Sequence, residues 1–136
     1  VGPRPNVWND VKIYTNEEKE LLSVKPGITD FSSIIFSDEG DILSNFKDPD
    51  LKYNQLIRPW KSRLGLFYIK KRSFILDTLL ISVTIIAIFK KKIANKCIVK
   101  ILEFYNADID LIRVCRRDTE LVPYPPPGSK KIVKER

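Results

Sequence analysis

No histidine occurs among the 136 residues, which excludes His-based general bases, triads and His-ligated zinc within this chain. Only two cysteines are present, Cys97 and Cys115, 18 positions apart. They form no metal or redox motif, so a reducing compartment is the expectation. Methionine is absent, at position 1 as elsewhere, and a chain opening Val1-Gly2-Pro3-Arg4-Pro5 reads as part of a longer translation product. No internal repeat is visible. What is present is 43% hydrophobic and 30% charged, enough apolar material for a core and too much for wholesale disorder. The length suits one domain with an appendage.

The net charge of +7 is unevenly spread. Residues 1–60 hold 7 basic and 10 acidic residues, whereas residues 61–136 hold 17 and 7. The second half is therefore the part suited to an anionic partner: lipid head groups, nucleic acid or a phosphorylated substrate.

Pro3 and Pro5 hold the opening residues extended. Thr15 reads as a helix N-cap with Glu17 and Glu18 in the first turn, and this helix stops before Pro26-Gly27. Residues 28–36 are β-branched, aromatic and Ser, which predicts an extended segment with a short strand over 33–36. Asp38-Glu39-Gly40-Asp41 and Asp48-Pro49-Asp50 are turn signals, and residues 50–58 and 62–73 read as helical on either side of Pro59. Ile98, Ile101, Leu102 and Tyr105 allow an amphipathic helix, and 109–114 a strand. Pro123-Tyr124-Pro125-Pro126-Pro127-Gly128 reads as a polyproline spacer or an adaptor ligand, followed by a basic tail over 129–136.

Residues 74–89 are the most apolar stretch, about 24 Å long as a helix. A spanning helix needs roughly 20 apolar residues; this one is shorter and contains Asp77. Lys70-Lys71-Arg72 and Lys90-Lys91-Lys92 bracket it, and Asp77, Thr84 and Lys91 recur every seven residues as a polar stripe. The layout suits a helix lying along an anionic leaflet; a buried core helix with lysine flanks is the alternative.

Three features carry possible binding chemistry. Arg4 between two prolines offers a guanidinium fork on a stiff backbone, suited to a diphosphate, or is simply part of a rigid loop. In Lys25-Pro26-Gly27-Ile28-Thr29-Asp30, Gly27 permits a sharp path, and free amides with Thr29 could meet phosphate oxygens; a turn ending a helix explains it equally. Lys61, Arg63, Lys70, Lys71 and Arg72 form a phosphate collector or a solvated face. The adjacent acids Asp38-Glu39 read as a solvated turn.

Several blocks occur together in the order of a known family: Val1-Gly2-Pro3-Arg4-Pro5, Leu22-Ser23-Val24-Lys25-Pro26-Gly27-Ile28-Thr29-Asp30, Ser32-Ser33-Ile34, Asp38-Glu39, Asp48-Pro49, Arg58-Pro59-x-Lys61, and Tyr68-Ile69-x-x-Arg72-Ser73-Phe74-x-Leu76-Asp77. Over residues 1–89 the chain resembles the bacterial sugar transferases, the monotopic phosphoglycosyl transferases; residues 93–136 match nothing in that pattern. The resemblance implies transfer of a sugar phosphate from a UDP-sugar to a polyprenyl phosphate, releasing UMP, with Mg²⁺ at the cytoplasmic face of the bacterial inner membrane. In the family an Asp-Glu dyad does the chemistry, the Asp as nucleophile, and a re-entrant helix dips into the membrane. Both precede the Val-Gly-Pro-Arg-Pro block, so Asp38-Glu39, downstream of it, does not inherit the dyad's role.

Carried over residue by residue, the resemblance gives a substrate-binding set. It assigns Arg4 to the nucleotide-sugar site, places Lys25, Gly27, Thr29 and Lys61 near the active-site cleft, and matches 74–89 to a membrane-associated helix. The expectation is an α+β fold of short helices with a small strand or hairpin element. Residues 1–92 form the C-terminal portion of a catalytic domain, and 93–136 an amphipathic segment, Pro-rich linker and basic tail. The expected partners are a UDP-sugar, a polyprenyl phosphate, an anionic membrane surface, and the missing N-terminal half or a complementary chain, without which the fragment is inactive. The rival readings are a non-catalytic membrane-associated interaction module and a small basic nucleic-acid binder. No nucleic acid is expected, because the aromatics are not interleaved with basic residues as a stacking platform requires.

Overall fold

The computed structural model describes residues 1–3, 12–118 and 120–134. Among them every regular element is helical. A 3₁₀ turn, Glu18–Ser23, precedes α1 (Phe31–Ile35), α2 (Glu39–Leu43) and α3 (Pro49–Lys52). A π turn, Tyr53–Ile57, leads into α4 (Arg58–Lys71), followed by α5 (Phe74–Phe89), α6 (Lys91–Phe104) and α7 (Ile109–Cys115). The expected α+β class is thus corrected to all-α, with no strand or hairpin sheet among the described residues.

Capping and spacing explain both misread strands. The Asp30 carboxylate accepts the Ser33 amide at 2.9 Å and the Ser32 and Ser33 hydroxyls, which starts a helix at Phe31. Phe31, Ile34 and Ile35 then share one buried face; their i, i+3, i+4 spacing outweighs their strand-forming residue types. Likewise Asp108 accepts the Asp110 amide at 2.8 Å, and Leu111, Ile112 and Cys115 are buried along α7.

Helix runs through Pro59 because the preceding turn is widened. The Arg58 amide donates to the Tyr53 carbonyl, five residues back, which makes room for the proline ring. Pro59 has no amide to offer the Gln55 carbonyl, and that oxygen accepts the Tyr124 amide at 3.0 Å. α4 is the central element: Trp60, Leu64, Leu66 and Tyr68 are all buried, so it is surrounded rather than amphipathic.

One apolar cluster joins Phe31 and Ile35 of α1, Leu64 of α4, Leu76 and Leu80 of α5, Ile98 and Leu102 of α6, and Leu111 and Cys115 of α7. Elements before and after residue 92 therefore share one core. Ser73 caps α5 by accepting the Leu76 amide at 3.1 Å, and Lys90 alone separates α5 from α6, which pack together as a helical hairpin.

α5 has three distinct sides. Leu76, Leu80 and Val83 face the core. Asp77 and Thr84 lie at its edge and bond other elements: Asp77 accepts the Tyr68 hydroxyl at 2.6 Å, and Thr84 and Thr29 share a hydrogen bond of 2.6 Å. Lys91, expected to complete the stripe, falls beyond the break at Lys90, in α6, and meets Asp38 at 3.1 Å. Phe74, Ile75, Leu79, Ile81, Ile85, Ile88 and Phe89 are exposed, Phe74 by 86% and Phe89 by 81%. No helix of the described residues is long and apolar enough to cross a membrane.

The C-terminal segment lies back on α4. Tyr124 stacks on Trp60 with ring centroids 4.6 Å apart, Arg63 donates to the Pro125 carbonyl at 2.9 Å, and the Thr15 hydroxyl donates to the Pro127 carbonyl. Pro126 and Pro127 are buried.

Candidate functional site

The site is built over the first turns of α4. A cavity of about 200 Å³ opens there, lined by Tyr14, Leu21, Leu22, Val24 and Pro26 from the 3₁₀ turn and its flanks, by Tyr53, Arg58, Lys61, Ser62 and Gly65 from the π turn and α4, and by Pro3, Asp30 and Ser32. Gly65 lets the 3₁₀ turn meet α4: a Cβ there would lie 2.5 Å from Leu21 Cδ2.

A buried ion pair forms the floor. The Glu18 carboxylate is fully buried and accepts from Arg58 Nε at 3.0 Å, from Arg58 Nη2, from the Ser62 hydroxyl and from the Thr15 amide at 3.1 Å. Arg58 also donates to Asn54 Oδ1 at 3.2 Å and to the Ile13 carbonyl at 2.9 Å. Its charge is neutralised and its donors are nearly used up, as a buried guanidinium requires. Glu18 was legible only as a first-turn carboxylate. Arg58 stood in the family block without a site role, although a cation at the start of a helix opposes the dipole and so signals a nearby anion.

Lys61 is the cavity's second cation. Its ammonium lies 3.2 Å from Glu39 Oε2 and 5.4 Å above the Tyr53 ring. Burial lowers its pKa, but Tyr53 and Glu39 outweigh that, so the ammonium titrates above its ordinary value. Burial likewise raises the Tyr53 phenol.

The other predicted site residues are spread out. Arg4 lies outside the described residues. Lys25 is exposed and lines a separate cleft with Ser23, Arg72 and Ser73. Gly27 meets residues 1–3 backbone to backbone: its amide donates to the Pro3 carbonyl at 3.2 Å, and the Gly2 amide donates to the Thr29 carbonyl at 3.1 Å. A Cβ on Gly27 would lie 2.3 Å from the Gly2 nitrogen. The glycine thus serves a close chain crossing, and the Thr29 hydroxyl is engaged with Thr84. Of the basic set, Lys61 faces the cavity, Arg63 stacks on Trp60 and Tyr124, and Lys70, Lys71 and Arg72 are exposed.

The resemblance puts the Mg²⁺ ligand outside this chain; among the described residues no group of three His, Cys, Asp or Glu side chains could hold a metal. Asp38 is already held by Arg117, at 3.0 Å to each oxygen, and by Lys91. Burial raises its carboxyl pKa, but those two cations outweigh burial and hold it below the ordinary value.

Comparison with known proteins gives one family. A family model described as bacterial sugar transferase matches residues 1–91. No curated protein and no solved structure matches the chain. The matched span runs from the Gly2–Gly27 crossing through the cavity and α4 to the first residue of α6, and covers the greater part of the sequence. This chain belongs to the bacterial sugar transferases.

Proposed function

We propose that the chain forms part of a membrane-associated phosphoglycosyl transferase, which moves a sugar phosphate from a UDP-sugar to a polyprenyl phosphate in glycoconjugate assembly. The family match over residues 1–91 carries this reading. The cavity supplies a wall for the donor nucleotide: Lys61 offers charge to a diphosphate, and Tyr14 and Tyr53 offer ring surface. By the resemblance the chemistry is done by an Asp-Glu dyad with Mg²⁺ that no residues of this chain match, and these 136 residues are proposed to bind the donor without turning it over. The decisive assay is UMP release from a UDP-sugar in the presence of polyprenyl phosphate. None is expected from this chain alone. Release is expected when a polypeptide bearing the dyad and the re-entrant helix is supplied; release by the isolated chain overturns the division of labour.

The exposed side of α5 supports placement at the cytoplasmic face of the bacterial inner membrane. Seven large apolar side chains face outward there, with exposed Lys70, Lys71 and Arg72 at one end and Lys90 and Lys92 at the other. Apolar insertion flanked by cations suits an anionic leaflet. The hydroxyls of Thr78 and Ser82 on this side donate to carbonyls one turn back, which spares them a need for water.

A second reading, a non-catalytic membrane-associated interaction module, is favoured by one observation: both cavity cations already hold carboxylates, Arg58 with Glu18 and Lys61 with Glu39. Binding to anionic vesicles without any binding of UDP would select it.

A further inference from the structure

We propose that Glu39 is a built-in competitor at the nucleotide cavity, a carboxylate that occupies Lys61 until a phosphate displaces it. The proposal rests on the reading of the cavity as a nucleotide-diphosphate site.

Of the two cations lining the cavity, Lys61 is the one whose charge can be reassigned. Arg58 is 5% exposed and locked to a fully buried carboxylate, so diverting it would strand Glu18 without a counter-charge. Lys61 and Glu39 are 23% and 39% exposed, so this pair is partly screened by water and held less firmly than the fully buried one.

The surroundings allow exchange. Tyr53 lies beside the Lys61 ammonium and lines the same cavity, so the ammonium keeps one neighbour when its anion changes. Glu39 is the first residue of α2, a five-residue helix with no buried side chain. The residue before it is clamped, because Asp38 is gripped by Arg117 and Lys91. Glu39 therefore turns away about a fixed point while the core stays intact.

The chemistry sets the direction of exchange. A carboxylate brings one charge and two acceptor oxygens. The diphosphate of a UDP-sugar brings one charge on each phosphate and more acceptor oxygens than a carboxylate, and makes charge-assisted bonds to an ammonium; free UDP, with a terminal phosphate, adds a further charge. A diphosphate thus displaces Glu39, whereas an uncharged sugar does not.

The test is UDP binding to the full 136-residue chain by calorimetry at fixed low salt, with helical content checked by circular dichroism. Glu39→Gln is expected to tighten UDP binding about three- to tenfold, with Glu39→Ala as a second variant of the same kind. Asp41→Asn removes the same charge from an exposed position on the same helix and is expected to have a smaller effect. Lys61→Gln is expected to abolish the gain when combined with Glu39→Gln. If UDP binds the parent chain and the Glu39 variants equally, or if Asp41→Asn matches Glu39→Gln, the competitor role is overturned while the nucleotide site stands. If no variant binds UDP, both readings fall.

Discussion

The Tyr124 amide donates to the Gln55 carbonyl at 3.0 Å. Pro59 supplies no amide to that oxygen, and the partner comes from a segment 69 positions away in sequence, beyond the residues matched by the family. The proline that opens α4 and the C-terminal strap are thus parts of one arrangement. Tyr124→Ala should lose the ring contact with Trp60 and part of the buried surface of the strap, a loss of about 1–2 kcal/mol. Urea unfolding of the two chains measures it; unchanged stability would show the strap to be incidental.

Truncation at residue 92 should be far more damaging. It removes Ala94, Ile98, Leu102, Leu111, Ile112 and Cys115 from the common core and uncovers their partners on α1, α4 and α5. The expected product lacks a cooperative thermal transition and binds an apolar dye. A sharp transition from residues 1–92 alone would mean that the family-matched part folds without its extension.

The floor of the cavity responds to single and paired substitutions differently. Glu18→Ala leaves the Arg58 guanidinium buried without its counter-charge and should destabilise by about 3–5 kcal/mol. The double change Glu18→Leu with Arg58→Met removes both charges and should recover much of that. Equal losses in single and double variants, read by urea unfolding, would contradict a penalty arising from the stranded charge.

Two glycines should respond oppositely to alanine. At Gly27 a Cβ would meet the Gly2 nitrogen at 2.3 Å, and backbone there cannot yield as a flexible side chain could, so a loss of about 1–3 kcal/mol is expected. Gly40 lies within α2 with nothing within 4 Å of an added Cβ, and alanine there should be neutral or stabilise by up to about 1 kcal/mol. Thermal melts of the two variants compare them directly.

Alkali should destabilise the fold. Burial pushes the Cys115 thiol from 9.0 up to about 12, despite Arg117 nearby. Burial and the bond to Asp77 also raise the Tyr68 phenol above its ordinary value. In both cases the unfolded chain loses its proton first, so the stabilising contribution is complete below the unfolded pKa and is lost as pH rises through the folded one. For Cys115 that window runs from 9.0 to about 12. The slope should approach about 1.4 kcal/mol per pH unit for each such group, and Cys115→Ala should flatten it. A stability profile level from pH 9 to 11 would contradict this.

The residue patterns announced helices best where the apolar run was long. The apolar run over 74–89, bracketed by basic residues, was readable as a helix, and the structure adds the Ser73 cap at its start and the break at Lys90. They misled at α1 and α7, where short runs of Ile, Phe and Val carry strand propensity and only the Asp caps and the burial of one face reveal helix. The polar stripe Asp77, Thr84, Lys91 was visible as spacing, but its three partners come from α4, the loop after the 3₁₀ turn and the start of α2. Such pairings across the chain are set by packing and cannot be read from local sequence. The same holds at the cavity: Lys61 was recognisable from its block, whereas the pairing of Glu18 with Arg58, 40 residues apart, appears only once the 3₁₀ turn is laid against α4.

The contact between Thr15 and Pro127 spans 112 residues, which has a consequence for biosynthesis. During translation the cavity's outer wall, near the start of these residues, leaves the ribosome well before the strap that braces it. The α5–α6 hairpin, made of neighbouring helices, can form as soon as it emerges, but the wall stays unbraced until the prolines follow. A nascent chain paused before Pro127 would hold its helices and lack the contacts of the strap with Thr15, Trp60 and Arg63, so this bracing arrives late, as these residues emerge.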